Sequence, residues 1–171
     1  MRPSRADRRG ALMAALAGVA AVLWAGVVGA AGPKLLEPER AFAFSVQALD
    51  DKTVEARFDI ANGYYLYREK LRFSVDPASL AEAPVLPPGK IKDDEFFGKV
   101  ETYRGQLAVK LPLRQAAPGS KLTVRAESQG CADAGICYPP QVQNVTVSLP
   151  LPGARPEAPV AATPARKSWF N

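Results

Sequence analysis

The chain has 171 residues, 47% of them hydrophobic, with a net charge of +5, two cysteines and no histidine. That length suits one core domain with extensions, and the missing histidine excludes Ser-His and Cys-His catalysis, histidine-ligated metals and the usual neutral-pH proton shuttle. Sixteen prolines and thirteen glycines point to β-structure broken by many turns.

At the amino terminus Arg2, Arg5, Arg8 and Arg9 stand against one acid, Asp7, and residues 11–28 are apolar and uncharged. Val28-Gly29-Ala30 and Gly29-Ala30-Ala31 then supply small residues for cleavage. This is the three-part layout of a secretory signal peptide, here residues 1–31. The small-residue ending favours cleavage over a membrane anchor, so no membrane association is expected after export. The leader carries a net +3, and its removal leaves +2. A domain so close to neutral has no electrostatic footprint for nucleic acid.

Residues 32–40 read as a linker. Phe42, Phe44 and Val46 then alternate with small or polar residues, and Asp50-Asp51 makes a turn. Val54, Ala56, Phe58 and Ile60 alternate again, with Thr53, Glu55, Arg57 and Asp59 outward, which predicts a hairpin with one buried face. Asn62-Gly63 turns the chain into Tyr64-Tyr65-Leu66-Tyr67-Arg68. Alternation puts Tyr65 and Tyr67 on the face opposite Leu66, and Leu71, Phe73 and Val75 are expected to continue that strand to Asp76-Pro77.

Residues 84–90, rich in proline, form an irregular connection. Lys92-Asp93-Asp94-Glu95-Phe96-Phe97-Gly98-Lys99 places three acids before two aromatics and a glycine, a poor pattern for core. It is either a charged turn with Phe97 tucked in, or a loop that presents an aromatic. Leu107, Val109, Leu111 and Leu113 alternate before a turn at Pro118-Gly119. Leu122, Val124 and Ala126 lead into the cysteine segment, and Val142, Val145 and Val147 lead out. Residues 150–171 form a Pro/Ala-rich tail with the composition of a disordered linker. Roughly seven or eight short strands with a turn every 8–12 residues predict an all-β fold over residues 41–149, an immunoglobulin-like antiparallel β-sandwich.

Both cysteines lie in Gly130-Cys131-Ala132-Asp133-Ala134-Gly135-Ile136-Cys137-Tyr138-Pro139-Pro140. Glycine and the diproline exclude regular helix, so the pair sits on a tight loop or bulged turn. Two readings stand side by side. One is a structural staple in an exported binding or assembly module. The other is a redox pair, because closing so short a loop stabilises by only about 2–2.5 kcal/mol, against about 4.7 for a loop of a hundred residues. Zinc wants four Cys or His ligands, so no metal and no cofactor is expected. No Lys or Arg inside the loop lowers a cysteine pKa, and Asp133 would raise it. Slow reaction with random disulfides follows, with rate supplied by docking to the right partner.

Three segments together resemble one family, the amino-terminal periplasmic domain of the thiol-disulfide interchange protein DsbD. They are Gly63-Tyr64-Tyr65-Leu66-Tyr67-Arg68, then Asp94-Glu95-Phe96-Phe97-Gly98-Lys99 with Tyr103-Arg104, and the eleven-residue cysteine segment. The resemblance implies an immunoglobulin-like domain in the periplasm whose cysteine pair, Cys131 and Cys137, shuttles electrons as a protein-disulfide reductase. It implies thioredoxin-fold partners: a donor fed by a membrane DsbD-type system, and acceptors among periplasmic disulfide isomerases and cytochrome c maturation factors. Cys137 would be the partner-linking sulfur. Phe96 would be the tip of a cap loop with Asp94, Glu95, Phe97 and Gly98 around it, and Tyr65 and Tyr67 would line the pair. The Pro/Ala-rich ending departs from a complete DsbD: the chain is either a free-standing module or a fragment of a longer protein, and as it stands electrons are expected from another protein.

Overall fold

The structure is a computed structural model that describes residues 35–95, 97–114 and 116–163. The leader expected at residues 1–31 and the cap tip expected at Phe96 lie outside the described residues. One helical turn, α1 (Pro38–Ala41), leads into β1 (Phe42–Ala48), which pairs antiparallel with β2 (Thr53–Ile60) from Phe42↔Ile60 to Ala48↔Val54. The period-two pattern does what it predicts here: Phe42, Phe44, Val46, Val54, Ala56 and Phe58 are all buried on one face.

β3 (Tyr64–Tyr67) follows the turn at Gly63, whose φ of +82° suits glycine. The continuous strand expected through Val75 does not form. Arg68–Lys70 makes a 3-10 turn, and β4 (Arg72–Asp76) joins a different sheet. The reason is local: none of Arg68, Glu69 and Lys70 is buried, so no apolar side chain anchors these three in a sheet face, and the chain re-enters the core at Leu71.

β5 (Lys90–Asp94) and β6 (Gly98–Tyr103) form a hairpin, and β7 (Gln106–Pro112) completes the first sheet beside β2. β8 (Lys121–Ser128), β9 (Gly130–Ala132), β10 (Ile136–Cys137), β11 (Gln141–Ser148) and β12 (Val160–Ala161) follow. The sheets run β12-β1-β2-β7, β11-β8-β4 and β10-β9-β3-β6-β5. The first two face each other across an aromatic cluster. Phe44 and Phe58 lie 4.9 Å apart by ring centroids, and each lies 6.4 Å from Phe73 of β4. This is the antiparallel sandwich expected from the strand pattern.

Two local expectations change. Val142 is 44% exposed, while Gln143 is 8% exposed and donates from Nε2 to the Phe42 carbonyl at 2.9 Å. The pleat of β11 sends Gln143, Val145 and Val147 inward together, so residue parity overrides residue type. The Pro/Ala-rich segment is also not featureless, because Val160 and Ala161 pair with Val46 and Ser45 of β1.

Candidate functional site

β3 is buried along its whole length because both of its faces are covered. Tyr64 and Leu66 belong to the main core. Tyr65 and Tyr67 point the other way, into a second buried cluster with Val100 of β6 and Cys131 of β9. A three-tyrosine strand can serve two faces in this way because a phenol buries its ring while its hydroxyl finds a polar partner. Tyr64 donates no core contact to the site; its hydroxyl accepts from the Leu36 amide at 2.8 Å.

The cysteines sit opposite each other on the β9–β10 hairpin, bonded as a disulfide with Cα atoms 3.9 Å apart. Gly135, at φ +80°, turns the hairpin, and its amide donates to Ala132 O at 3.0 Å. Cys131 has 0% exposure, whereas Cys137 lies on the surface. Gly130 sets β9 tightly against β3. A Cβ there would stand 2.3 Å from the Tyr65 carbonyl oxygen and 2.7 Å from the Phe42 ring.

The hydroxyl of Tyr67 lies 3.2 Å from Cys131 Sγ and donates to Asp94 Oδ2 at 2.8 Å, and Tyr65 donates to the same oxygen at 3.1 Å. A carboxylate outcompetes a sulfur for a single phenolic proton, so Tyr67 turns lone pairs towards Cys131. Once the bond is reduced, a Cys131 thiol has an acceptor in place. Burial first, then hydrogen bonds with Tyr65 and Asp94, holds the Tyr67 phenol far above its usual value, so it stays protonated.

Asp94 also accepts from Lys92 Nζ at 3.3 Å, and its Oδ1 accepts the Phe97 amide at 3.3 Å. One carboxylate thereby ties the tip of the β5–β6 hairpin to the tyrosines. Desolvation pulls the Lys92 ammonium down, but hydrogen bonds to Asp94 and Tyr65 outweigh it and leave its pKa raised. Phe97, 49% exposed, meets Tyr67 edge-on at 5.3 Å and sits under Lys70 Nζ at 5.1 Å. Gly98, at φ +70°, makes the bend that follows. Glu95 and Asp94 border a recess of about 150 Å³ with Tyr65, Lys92, Asp133 and Cys137.

Two residues of this neighbourhood carry no signal in the cysteine segment itself. Arg104, just past β6, forms a bidentate pair with Asp133 at 2.6 and 3.0 Å, and its guanidinium carbon stands 5.0 Å over the Tyr65 ring. Lys92 stands 4.9 Å from the same ring centroid. Hydrogen bonding to Arg104 holds the Asp133 carboxyl below its usual range, so the acid expected to oppose a thiolate is already matched by a cation. Arg104 and Asp133 are 29 residues apart, and only the fold joins them.

An antiparallel sandwich that carries a hairpin disulfide, one cysteine sealed and the other open, defines a thiol–disulfide domain on an immunoglobulin-like frame. The chain belongs to the family of N-terminal domains of the thiol:disulfide interchange protein DsbD, whose family model matches residues 32–149. It is 48% identical over 134 residues to the thiol:disulfide interchange protein DsbD of Ralstonia nicotianae, covering 77% of this chain and 21% of that protein. Against the Escherichia coli K12 protein of the same name it is 38% identical over 157 residues, 86% of this chain and 27% of the relative. The chain therefore spans between a fifth and a third of the length of these relatives.

Among solved structures it matches the Neisseria meningitidis DsbD N-terminal domain in the reduced form at 35% identity and a TM-score of 0.63, over 75% of this chain and 96% of that one. It also matches the complex between the DsbD N-terminal and PilB N-terminal domains of Neisseria meningitidis, at 36% identity and a TM-score of 0.55, over 74% of this chain and 94% of that one.

Proposed function

We propose that this chain is a periplasmic thiol–disulfide exchange module that relays reducing equivalents through Cys131 and Cys137 to thioredoxin-fold partners. Residues 1–31 act as the export signal, residues 41–149 as the redox domain and residues 150–171 as the tail. Reduction comes from a thioredoxin-fold donor of a membrane DsbD-type system, and periplasmic disulfide isomerases and cytochrome c maturation factors are the acceptors. The observation that carries this reading is the asymmetry of the pair, with Cys131 at 0% exposure and Cys137 at the surface.

The exchange balances as follows. The Cys137 thiolate attacks one sulfur of the partner's disulfide, forming a mixed disulfide and releasing one partner thiolate. Cys131, losing its proton, then attacks Cys137 Sγ, closing the internal bond and releasing the partner's second thiolate. Two electrons pass to the partner, whose thiolates take up the protons. Tyr67, kept protonated, supplies a neutral hydrogen-bonding neighbour for Cys131 through the cycle.

In the sequence Phe96 falls between Glu95, which borders the recess at Cys137, and Phe97, which rests on Tyr67. In this proposal Phe96 is the cap over the pair and a docking partner displaces it, with Asp94, Gly98 and the Phe97 ring anchoring the loop. The test mixes reduced chain with an oxidised thioredoxin-fold domain, and separately with oxidised glutathione. Transfer to the domain should be roughly 100-fold faster, because docking positions the sulfurs. Phe96→Ala should speed reaction with glutathione by roughly tenfold and move the melting temperature by no more than about 2 °C. Equal rates towards the domain and glutathione would remove the relay reading. An unchanged glutathione rate with a large melting drop would make Phe96 a core residue.

A further inference from the structure

The outer edge of β1 carries an assignment of its own. The β1–β2 register places Ala43, Ser45 and Gln47 opposite Asp59, Arg57 and Glu55, and the Ala61 amide donates to Ala41 O at 2.9 Å. In an antiparallel ladder that alternation directs the odd-numbered amides of β1 to β2 and the even-numbered ones, Phe44 and Val46, to the opposite edge. That edge is filled by the chain's own tail. Val160 pairs with Val46 and Ala161 with Ser45, the Ala162 amide donates to Phe44 O at 2.8 Å, and Gln47 Nε2 donates to Glu157 O at 2.9 Å. Val160 and Ala161 are exposed and Ala162 alone packs partly buried against the core, so main-chain pairing supplies most of what holds the segment.

The direction of pairing matters as much as its existence. Running antiparallel to β1, residues 160–162 travel from Val46 to Phe44 and so towards Phe42. The Phe42 ring leaves no room for a side chain at Gly130, the residue before Cys131, and stacks edge-on with Tyr138, the residue after Cys137, at 5.6 Å. The docked segment therefore runs towards the cysteine end of the domain.

We infer that residues 157–162 are a clasp docked on the β1 edge, which seals that edge and runs towards the end of the sandwich that bears the disulfide. The occupant is this chain's own strand, and an unsealed edge would be a template for another chain. The clasp is independent of the exchange reaction and stands whether or not the pair turns over.

Amide hydrogen exchange tests it in the full chain and in Val160→Pro/Ala162→Pro, which removes two donors facing β1. In the parent, Phe44 and Val46 should be protected like Ser45. In the variant those two should exchange at least about tenfold faster, while Ala43, Ser45 and Gln47, bonded to β2, stay within about twofold. Open-chain exchange of Phe44 and Val46 in the parent overturns the clasp, as does a variant with no change. Acceleration of all five amides together also overturns it, since the tail would then be part of the sandwich and not a separable clasp. For the direction, a spin label on Thr163→Cys, with the native disulfide kept oxidised, should broaden Phe42 and Ala43 more than Ala48 and Leu49. The reverse order overturns the run of the clasp towards the cysteine end.

Discussion

Cys131→Ser accumulates a mixed disulfide through Cys137 when mixed with a thioredoxin-fold partner whose one remaining cysteine is activated as an aryl disulfide, the arylthiolate leaving as Cys137 attacks, and Cys137→Ser does not. Two observations set the sign. Cys137 is at the surface beside an open recess, so a partner sulfur can approach it in line. Cys131 has 0% exposure and is enclosed by Tyr65, Tyr67 and Val100, so no second protein reaches it without opening that cluster. Removing Cys131 removes the thiol that would release the partner, and the adduct persists. The yield of adduct should differ by at least roughly tenfold between the two variants, read by non-reducing electrophoresis and mass spectrometry. A trapped adduct formed only by Cys137→Ser would reverse the two roles.

Gly130→Ala carries a large stability cost. The new Cβ has no free space: backbone oxygen of Tyr65 stands at 2.3 Å and the Phe42 ring at 2.7 Å, and neither belongs to a flexible side-chain end. Relief requires β9 to move off β3, which costs on the order of 3 kcal/mol and roughly 10 °C in Tm for a domain of this size. Gly135→Ala is the control. Among the described residues it meets nothing within 4 Å but keeps a φ of +80°, so only backbone strain of about 1–2 kcal/mol applies. A Gly130→Ala melting temperature within about 2 °C of the parent would mean that β9 is not tightly held against β3, and the sealed state of Cys131 would lose its support.

How much of this was legible from residues alone varies with the range of the interaction. The β1–β2 hairpin was readable because Phe42, Phe44, Val46 and Val54, Ala56, Phe58 follow a strict period of two. The two faces of Tyr64-Tyr65-Leu66-Tyr67 were readable for the same reason, and the structure places Tyr65 and Tyr67 beside Cys131. The break after Tyr67 was not readable, because Leu71, Phe73 and Val75 keep an apolar alternation that hides a three-residue turn between two sheets. Gln143 is not legible beside Val142, since a buried amide can be read only once its acceptor, the Phe42 carbonyl 101 residues away, is known.

The charges around the site show the same limit. Reading only the cysteine segment leaves Asp133 as an unopposed acid, but Arg104 from the end of β6 meets it in two hydrogen bonds. Lys92 looked like one more charge in an acidic turn, yet it is held between Asp94 and the Tyr65 ring. In the tail, Val160-Ala161 is too short for any periodicity to register, and its strand exists only because β1 offers an edge.

The most direct test of the central claim is to reduce the pair with mild dithiothreitol, count thiols, and record the far-ultraviolet circular dichroism and melting curve of the same sample. A redox pair on a seven-residue loop should open at a cost of about 2–2.5 kcal/mol, which the sandwich survives. The account predicts two titratable thiols, an unchanged β-signature with a cooperative melt at a lower temperature, and full recovery on reoxidation. Random-coil dichroism on reduction, or a disulfide that yields only after the domain is denatured, would contradict it and make Cys131–Cys137 a structural staple.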